Sequence, residues 1–213
     1  MKHLVAILLF GLASAAGAQE YRLPFGGRWF VMQGGDTPNV NDHMAVPAQW
    51  FGLDFAKVGG PSQRELARGT PAKVEDFYSW GEPVQAPIDG EVVAVVDGLP
   101  DNPLGVKDPQ HPAGNHVVLK VAEGRFLFLA HLQRGTITVK PGQRVAAGER
   151  MGVCGNSGNS DFPHIHMHIQ DTPALNTGRG QNPVFAHVDV DLSGKHFADV
   201  TWPLIRGLFV ANH

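Results

Sequence analysis

The chain has 213 residues, with 17 Lys and Arg against 20 Asp and Glu and a formal net charge of -3. That slightly acidic balance gives no electrostatic reason to expect nucleic acid or anionic lipid as a partner. A single cysteine, Cys154, excludes an internal disulfide, and its apolar setting in Met151-Gly152-Val153-Cys154 predicts a buried, inert thiol.

Residues 1–18 read as a secretory signal peptide. Met1-Lys2 is the positive region, Leu4 to Leu12 the apolar run, and Ala16-Gly17-Ala18 the small-residue cleavage site. The apolar run is shorter than the ~20 residues of a membrane span, so no membrane anchor is expected after cleavage. Residues 19–213 then form one domain, secreted or periplasmic, with a core at about 41–170 and a C-terminal extension at 171–213. Losing Lys2 with the leader moves the charge from -3 to -4.

Helical periodicity is scarce along the rest of the chain. Short β-branched runs at 91–96, 116–121, 125–130 and 136–139 alternate with Gly- and Pro-rich punctuation, which predicts an all-β domain of antiparallel sheets. Residues 61–69 allow a brief helix or a loop. Asp97 to Asn115 carries Pro100, Pro103, Pro109 and Pro112 and reads as a long surface loop able to rim a cleft. The turn at Pro141-Gly142 joins two strands. His116, Val118 and Lys120 would point outward from theirs. After the polar segment 171–182, 183–190 and 200–210 look like closing strands.

The densest information lies in Phe162-Pro163-His164-Ile165-His166-Met167-His168-Ile169-Gln170. In an extended strand, His164, His166 and His168 line one face while Ile165, Met167 and Ile169 line the other. Three imidazoles at that period suit a metal or proton transfer better than packing. Asp54, between Leu53 and Phe55, is an acid that burial would penalise unless it had a partner. His131 ends an apolar strand, Phe128-Leu129-Ala130-His131-Leu132.

In order, Gly52-Leu53-Asp54, the strand from Ala86-Pro87 to Val93, Gly114-Asn115-His116-Val117, Ala130-His131-Leu132, Pro141-Gly142 and Pro163-His164-Ile165-His166 resemble the lysostaphin-type (LytM-type) zinc endopeptidases, mostly peptidoglycan hydrolases. The resemblance runs from about His43 to Gln170. It implies antiparallel sheets forming a groove, a Zn2+ cofactor, and a peptidoglycan peptide or other peptide as substrate. It also implies that Asp54 and His166 are zinc ligands and that His131 and His164 are catalytic. The remaining ligand is in most relatives a histidine four residues before the aspartate, where this chain has Trp50. His43, eleven residues before Asp54, fits a variant with an insertion; His111 and His116 are its rivals. His168 stands where relatives often carry an acid, as an orienting group or an exposed one. His187, His196 and His213 fall outside the resemblance and are expected on the surface.

Two imidazoles and a carboxylate leave a catalytic zinc positive, with a fourth position for water. The alternative function is a catalytically inactive relative that binds cell wall or regulates another hydrolase, which Trp50 would suit. A biotinyl- or lipoyl-carrier reading fails for want of a lysine-bearing hairpin tip. A serine hydrolase fails because Ser157 lacks the nucleophile-elbow pattern.

Overall fold

The computed structural model describes residues 19–213; the predicted signal peptide, 1–18, lies outside the described residues. In chain order the strands are β1 (Glu20–Tyr21), β2 (Trp29–Gln33), β3 (Leu53–Lys57), β4 (Pro83–Gln85), β5 (Gly90–Val96), β6 (Asn115–Ala122) and β7 (Arg125–Leu132). They continue as β8 (Arg144–Val145), β9 (Arg150–Val153), β10 (Ile165–Gln170), β11 (Val184–Leu192), β12 (Lys195–Trp202) and β13 (Phe209–Asn212). Eleven of them form one sheet in the order β1-β11-β13-β2-β3-β10-β7-β6-β5-β8, with β12 paired to β11, and β4 and β9 form a separate pair. The pairings are antiparallel except β1 with β11. Among the described residues no helix is long and apolar enough to cross a membrane.

Period-two alternation sorts the central strands into two faces. On one, Phe55 meets Ile165, Leu53 meets Met167, Met167 meets Leu129, and Leu129 meets Val117, making a continuous apolar row across β3, β10, β7 and β6. All of these are 2% exposed or less. Burying a side chain of this size contributes about 1.5–3 kcal/mol each, so this row anchors the register of β10. On the other face Asp54 lies opposite His166, His166 opposite Ala130, and His168 opposite Phe128. Register is therefore pinned by the apolar face and displays the polar one.

The ladder between β6 and β7 breaks once near the site. Asn115 pairs with Leu132 and Val117 with Leu129, so His116 faces two residues, Ala130 and His131. Unbroken alternation from Leu127 and Leu129 would turn His131 into the apolar core. This β-bulge instead keeps both Ala130 and His131 on the polar side. His131 has φ 63°, the left-handed region that a residue with a Cβ enters at a cost.

Some expectations are corrected. Val118 is 1% exposed, so the His116-Val118-Lys120 face is not an outward one; it continues the face carrying Phe128 and His168. Residues 136–139 run beside β9 with a single backbone bond, Thr138 N–H to the Met151 carbonyl, and form no ladder. Of the two forms allowed for residues 61–69, the loop is the one found, as turns and isolated bridges. The C-terminal part contains three strands, because Ser193-Gly194 turns β11 back into β12 and Pro203 ends β12 before β13.

Candidate metal centre

Asp54 and His166 are cross-strand neighbours on β3 and β10. Their side chains meet: Asp54 Oδ1 lies 2.9 Å from His166 Nδ1. His43 arrives differently. Two 3-10 turns, Asp42–Ala45 and Pro47–Gln49, compress the stretch before β3. They fold His43 back so that its Nε2 stands 3.4 Å from Asp54 Oδ2. The close approach requires Gly52: a Cβ there would sit 3.0 Å from His43 Cγ and 3.1 Å from the Gln49 carbonyl oxygen. Ligand atoms of His43, Asp54 and His166 all lie within 4.8 Å of one another.

Asn41 holds the His43 ring. It is fully buried, and its Nδ2 donates to the carbonyls of Gly35 (2.8 Å), Gly52 (3.2 Å) and Trp50 (3.3 Å). Its Oδ1 is thereby turned toward His43 and accepts from the backbone N–H (3.2 Å) and from Nδ1 (2.9 Å). With the ring proton on Nδ1, Nε2 presents a lone pair to Asp54. Trp50 contributes only its backbone carbonyl to this arrangement.

The carboxylate and imidazoles suit a dication. Asp54 is 8% exposed, and the ion-pair partners within 4 Å of it among the described residues are His43, His164 and His166, with no Lys or Arg. Burial alone would raise its pKa, but the imidazoles of His43, His164 and His166 hold it well below the carboxylate range. Burial lowers the His43 pKa to about 4, against the pull of Asp54, so at neutral pH the ring is uncharged and free to ligate. A buried carboxylate without a permanent cation beside it is costly, and a divalent ion would supply the missing charge. Donors ~2.0–2.2 Å from a tetrahedral zinc stand about 3.4 Å apart. The His43–Asp54 separation matches this; the His166–Asp54 contact would open by about half an ångström.

His131 and His164 flank the trio. Their ring centroids are 4.7 Å apart, and His164 Nε2 is 3.6 Å from Asp54 Oδ1. His131 Nδ1 donates to the Ser157 carbonyl (2.9 Å) and His164 Nδ1 to the Phe162 carbonyl (2.9 Å). Each therefore keeps Nε2 for other use. Burial, with His164 and His166 adding to it, pushes the His131 pKa well down. Gly114 makes the Ser157 contact possible: it has φ +56°, and a Cβ there would lie 2.4 Å from the Ser157 carbonyl carbon. His43, Asp54, His131 and His164 line a groove of about 360 Å3, walled by Lys107 of the 97–114 loop and by Asp161. A larger recess, about 750 Å3, lies around Tyr21, Pro87 and Lys120 and includes none of the five predicted site residues.

All five predicted residues thus converge. The rivals of His43 do not join them. His111 is exposed and paired with Asp108 (2.8 Å); His116 bonds the Gly114 carbonyl (2.7 Å) and stacks on Phe128. His168 is buried beside His166, not exposed. Cys154 is fully buried and burial raises its pKa well up, as expected of an inert thiol. His187, His196 and His213 are exposed and paired with Asp199, Asp191 and Asp189. The sequence reading missed Asn41, Ser157 and Gln170. Asn41 stands two residues before His43, and Gln170 continues the alternation of His164, His166 and His168; those spacings were the available signals.

Residues 76–183, just over half of the chain, match the family described as Peptidase family M23. That stretch includes His131, His164 and His166 and begins after His43 and Asp54. The chain is 32% identical over 151 residues to an uncharacterized metalloprotease of Haemophilus influenzae, covering 68% of this chain and 28% of that protein. Over 89 residues it is 36% identical to peptidoglycan DD-endopeptidase ShyA of Vibrio cholerae, covering 39% of this chain and 20% of that one. It therefore spans between a fifth and a third of the length of these curated relatives. A mutant catalytic domain of the prophage-encoded M23 protein EnpA from Enterococcus faecalis aligns at TM-score 0.48 and 22% identity, over 76% of this chain and 94% of that domain.

Proposed function

Because the chain belongs to peptidase family M23, we propose that it is a zinc-dependent endopeptidase acting on peptide bonds, with peptidoglycan cross-links as the substrate. The supporting observation is the convergence of His43 Nε2, the Asp54 carboxylate and His166 Nδ1, with the free Nε2 atoms of His131 and His164 beside them on one groove. The similarity to a peptidoglycan endopeptidase supports the choice of substrate. We further propose that residues 1–18 direct export, which a wall substrate requires, and that 19–213 act as one domain.

In this reading His43, Asp54 and His166 hold the ion. Bound zinc would supply a Lewis acid and lower the pKa of water from about 15.7 toward 7. His131 and His164 handle the proton. Each has Nδ1 fixed on a backbone carbonyl, so each can accept at Nε2 a proton from the attacking water. The protonated imidazole then donates to the carbonyl oxygen as negative charge develops, and passes the proton to the leaving amine nitrogen. Positioned groups of this kind contribute ~10²–10⁴-fold in rate. The alternative, a non-catalytic wall-binding or regulatory relative, rested on Trp50; His43 beside Asp54 weighs against it.

Elemental analysis of the purified protein and digestion of purified sacculi test the proposal together. Zinc should be present, and cleaved cross-links should appear among the released fragments. His166→Ala should lose both zinc and activity. An active, zinc-free His166→Ala protein would overturn the assignment.

A further inference from the structure

Strand β10 carries a buried polar row that the proposed chemistry does not use. His168 and Gln170 are 1% and 0% exposed. The His168 ring lies on Phe128, with centroids 4.5 Å apart and planes at 10°. His166 Nε2 is 2.8 Å from His168 Nδ1, and His168 Nε2 is 3.2 Å from Gln170 Oε1. Gln170 Nε2 donates to the carbonyls of Ala174 (2.6 Å) and Thr172 (2.8 Å) and to Thr172 Oγ1 (3.0 Å).

The direction of every bond in this row follows from its far end. Carbonyl oxygens only accept, so the Gln170 amide turns its NH2 toward the 172–174 loop and its Oε1 toward His168. Oε1 also only accepts, so His168 carries its proton on Nε2. A neutral imidazole has one N–H, which leaves His168 Nδ1 bare. It accepts from His166, whose proton is thereby held on Nε2. His166 Nδ1 is left as a lone pair on the Asp54 side. Asp54 Oδ1, 2.9 Å away, pulls the other way, because a carboxylate facing Nδ1 favours a proton there.

We propose that His168 and Gln170 are positioning residues that fix the His166 tautomer, holding its Nδ1 open for the ion against the pull of Asp54. The proposal rests on the reading of His166 as a zinc ligand. Groups that orient a ligating histidine typically change metal affinity by ~10–100-fold when removed.

Two variants separate this role from packing. His168→Phe keeps the ring on Phe128 but removes the acceptor. His168→Asn loses ring volume but places an amide oxygen near the position of Nδ1. Zinc affinity, measured by competition with a chromophoric chelator on proteins checked by thermal melting, should fall ~10–100-fold in His168→Phe and only a few-fold in His168→Asn. A packing role predicts the reverse order. In zinc-free wild-type protein, long-range 1H–15N NMR of labelled histidines should show His168 protonated at Nε2 and bare at Nδ1. Wild-type affinity in His168→Phe, or a proton on His168 Nδ1, would overturn the proposal. Failure of the wild type to bind zinc would sink the metal reading instead, and the NMR tautomer would still decide the proton direction.

Discussion

Removing His43 probes the one proposed ligand that no short motif announces. Its Nε2 stands 3.4 Å from Asp54 Oδ2, and its ring meets His166 edge-on at 4.7 Å. Zinc in small structural sites is held by ~10–16 kcal/mol. Sharing the lower figure over three donors assigns roughly 3 kcal/mol to each, on the order of a 10²-fold loss in affinity. His164 limits the damage, because its Nε2 is only 3.6 Å from Asp54 Oδ1 and can swing in as a weaker donor. His43→Ala should therefore weaken zinc binding by between ~10-fold and ~10²-fold. The assay is chelator competition at fixed pH and ionic strength, with His111→Ala and His116→Ala as controls expected at the wild-type value. Full affinity in His43→Ala, or a loss in either control instead, would refute the assignment of the third ligand.

His131→Ala should retain zinc while lowering kcat by ~10²–10⁴-fold; loss of the metal with the activity would show that His131 is a ligand. Gly114→Ala should cost about 1–3 kcal/mol in denaturant unfolding and also slow turnover, because the new Cβ displaces the Ser157 carbonyl that holds His131. In metal-free protein, the depressed folded pKa of His43, and of His131 with it, means that the unfolded chain takes up protons the folded one refuses. That stability is present above the ordinary value of 6.5 and is lost as pH falls toward about 4. His43 alone accounts for up to about 3 kcal/mol. A Tm that rises on acidification through this window would contradict the sign.

Where side-chain direction follows from local period, the site could be read directly. Ile165, Met167 and Ile169 had to be buried, so His166 and His168 had to share the opposite face, and Leu53-Asp54-Phe55 repeats the logic one strand away. His131 escaped that logic. The same alternation sends it inward, and only a pairing irregularity against β6, set by tertiary register, brings it out. His43 could be nominated only through the resemblance, beside His111 and His116, for another reason. Its distance from Asp54 depends on two short turns and on Asn41 gathering three carbonyls, none of which has a periodic signature. Burial of His168 depends on its packing between Phe128, His166 and Gln170, and sequence spacing is silent on how deep that packing lies. Likewise the expected strand at 200–210 ran the end of β12 into β13, and residues 195–199 were left out of any strand because they are largely exposed and polar.

If the proposed zinc site is right, the extra residue in β7 decides how many donors reach the ion. Ala130, a methyl group, sits opposite His166, and His131 is displaced to the side. Deleting Ala130 would straighten the ladder and seat the imidazole directly across from His166, within reach of the same ion. Three donors plus that fourth would close the coordination sphere, and closed spheres belong to structural sites. The product would be a better chelator and a poorer enzyme: tighter zinc retention with no hydrolysis, brought about by a change in length with none of the five site residues exchanged.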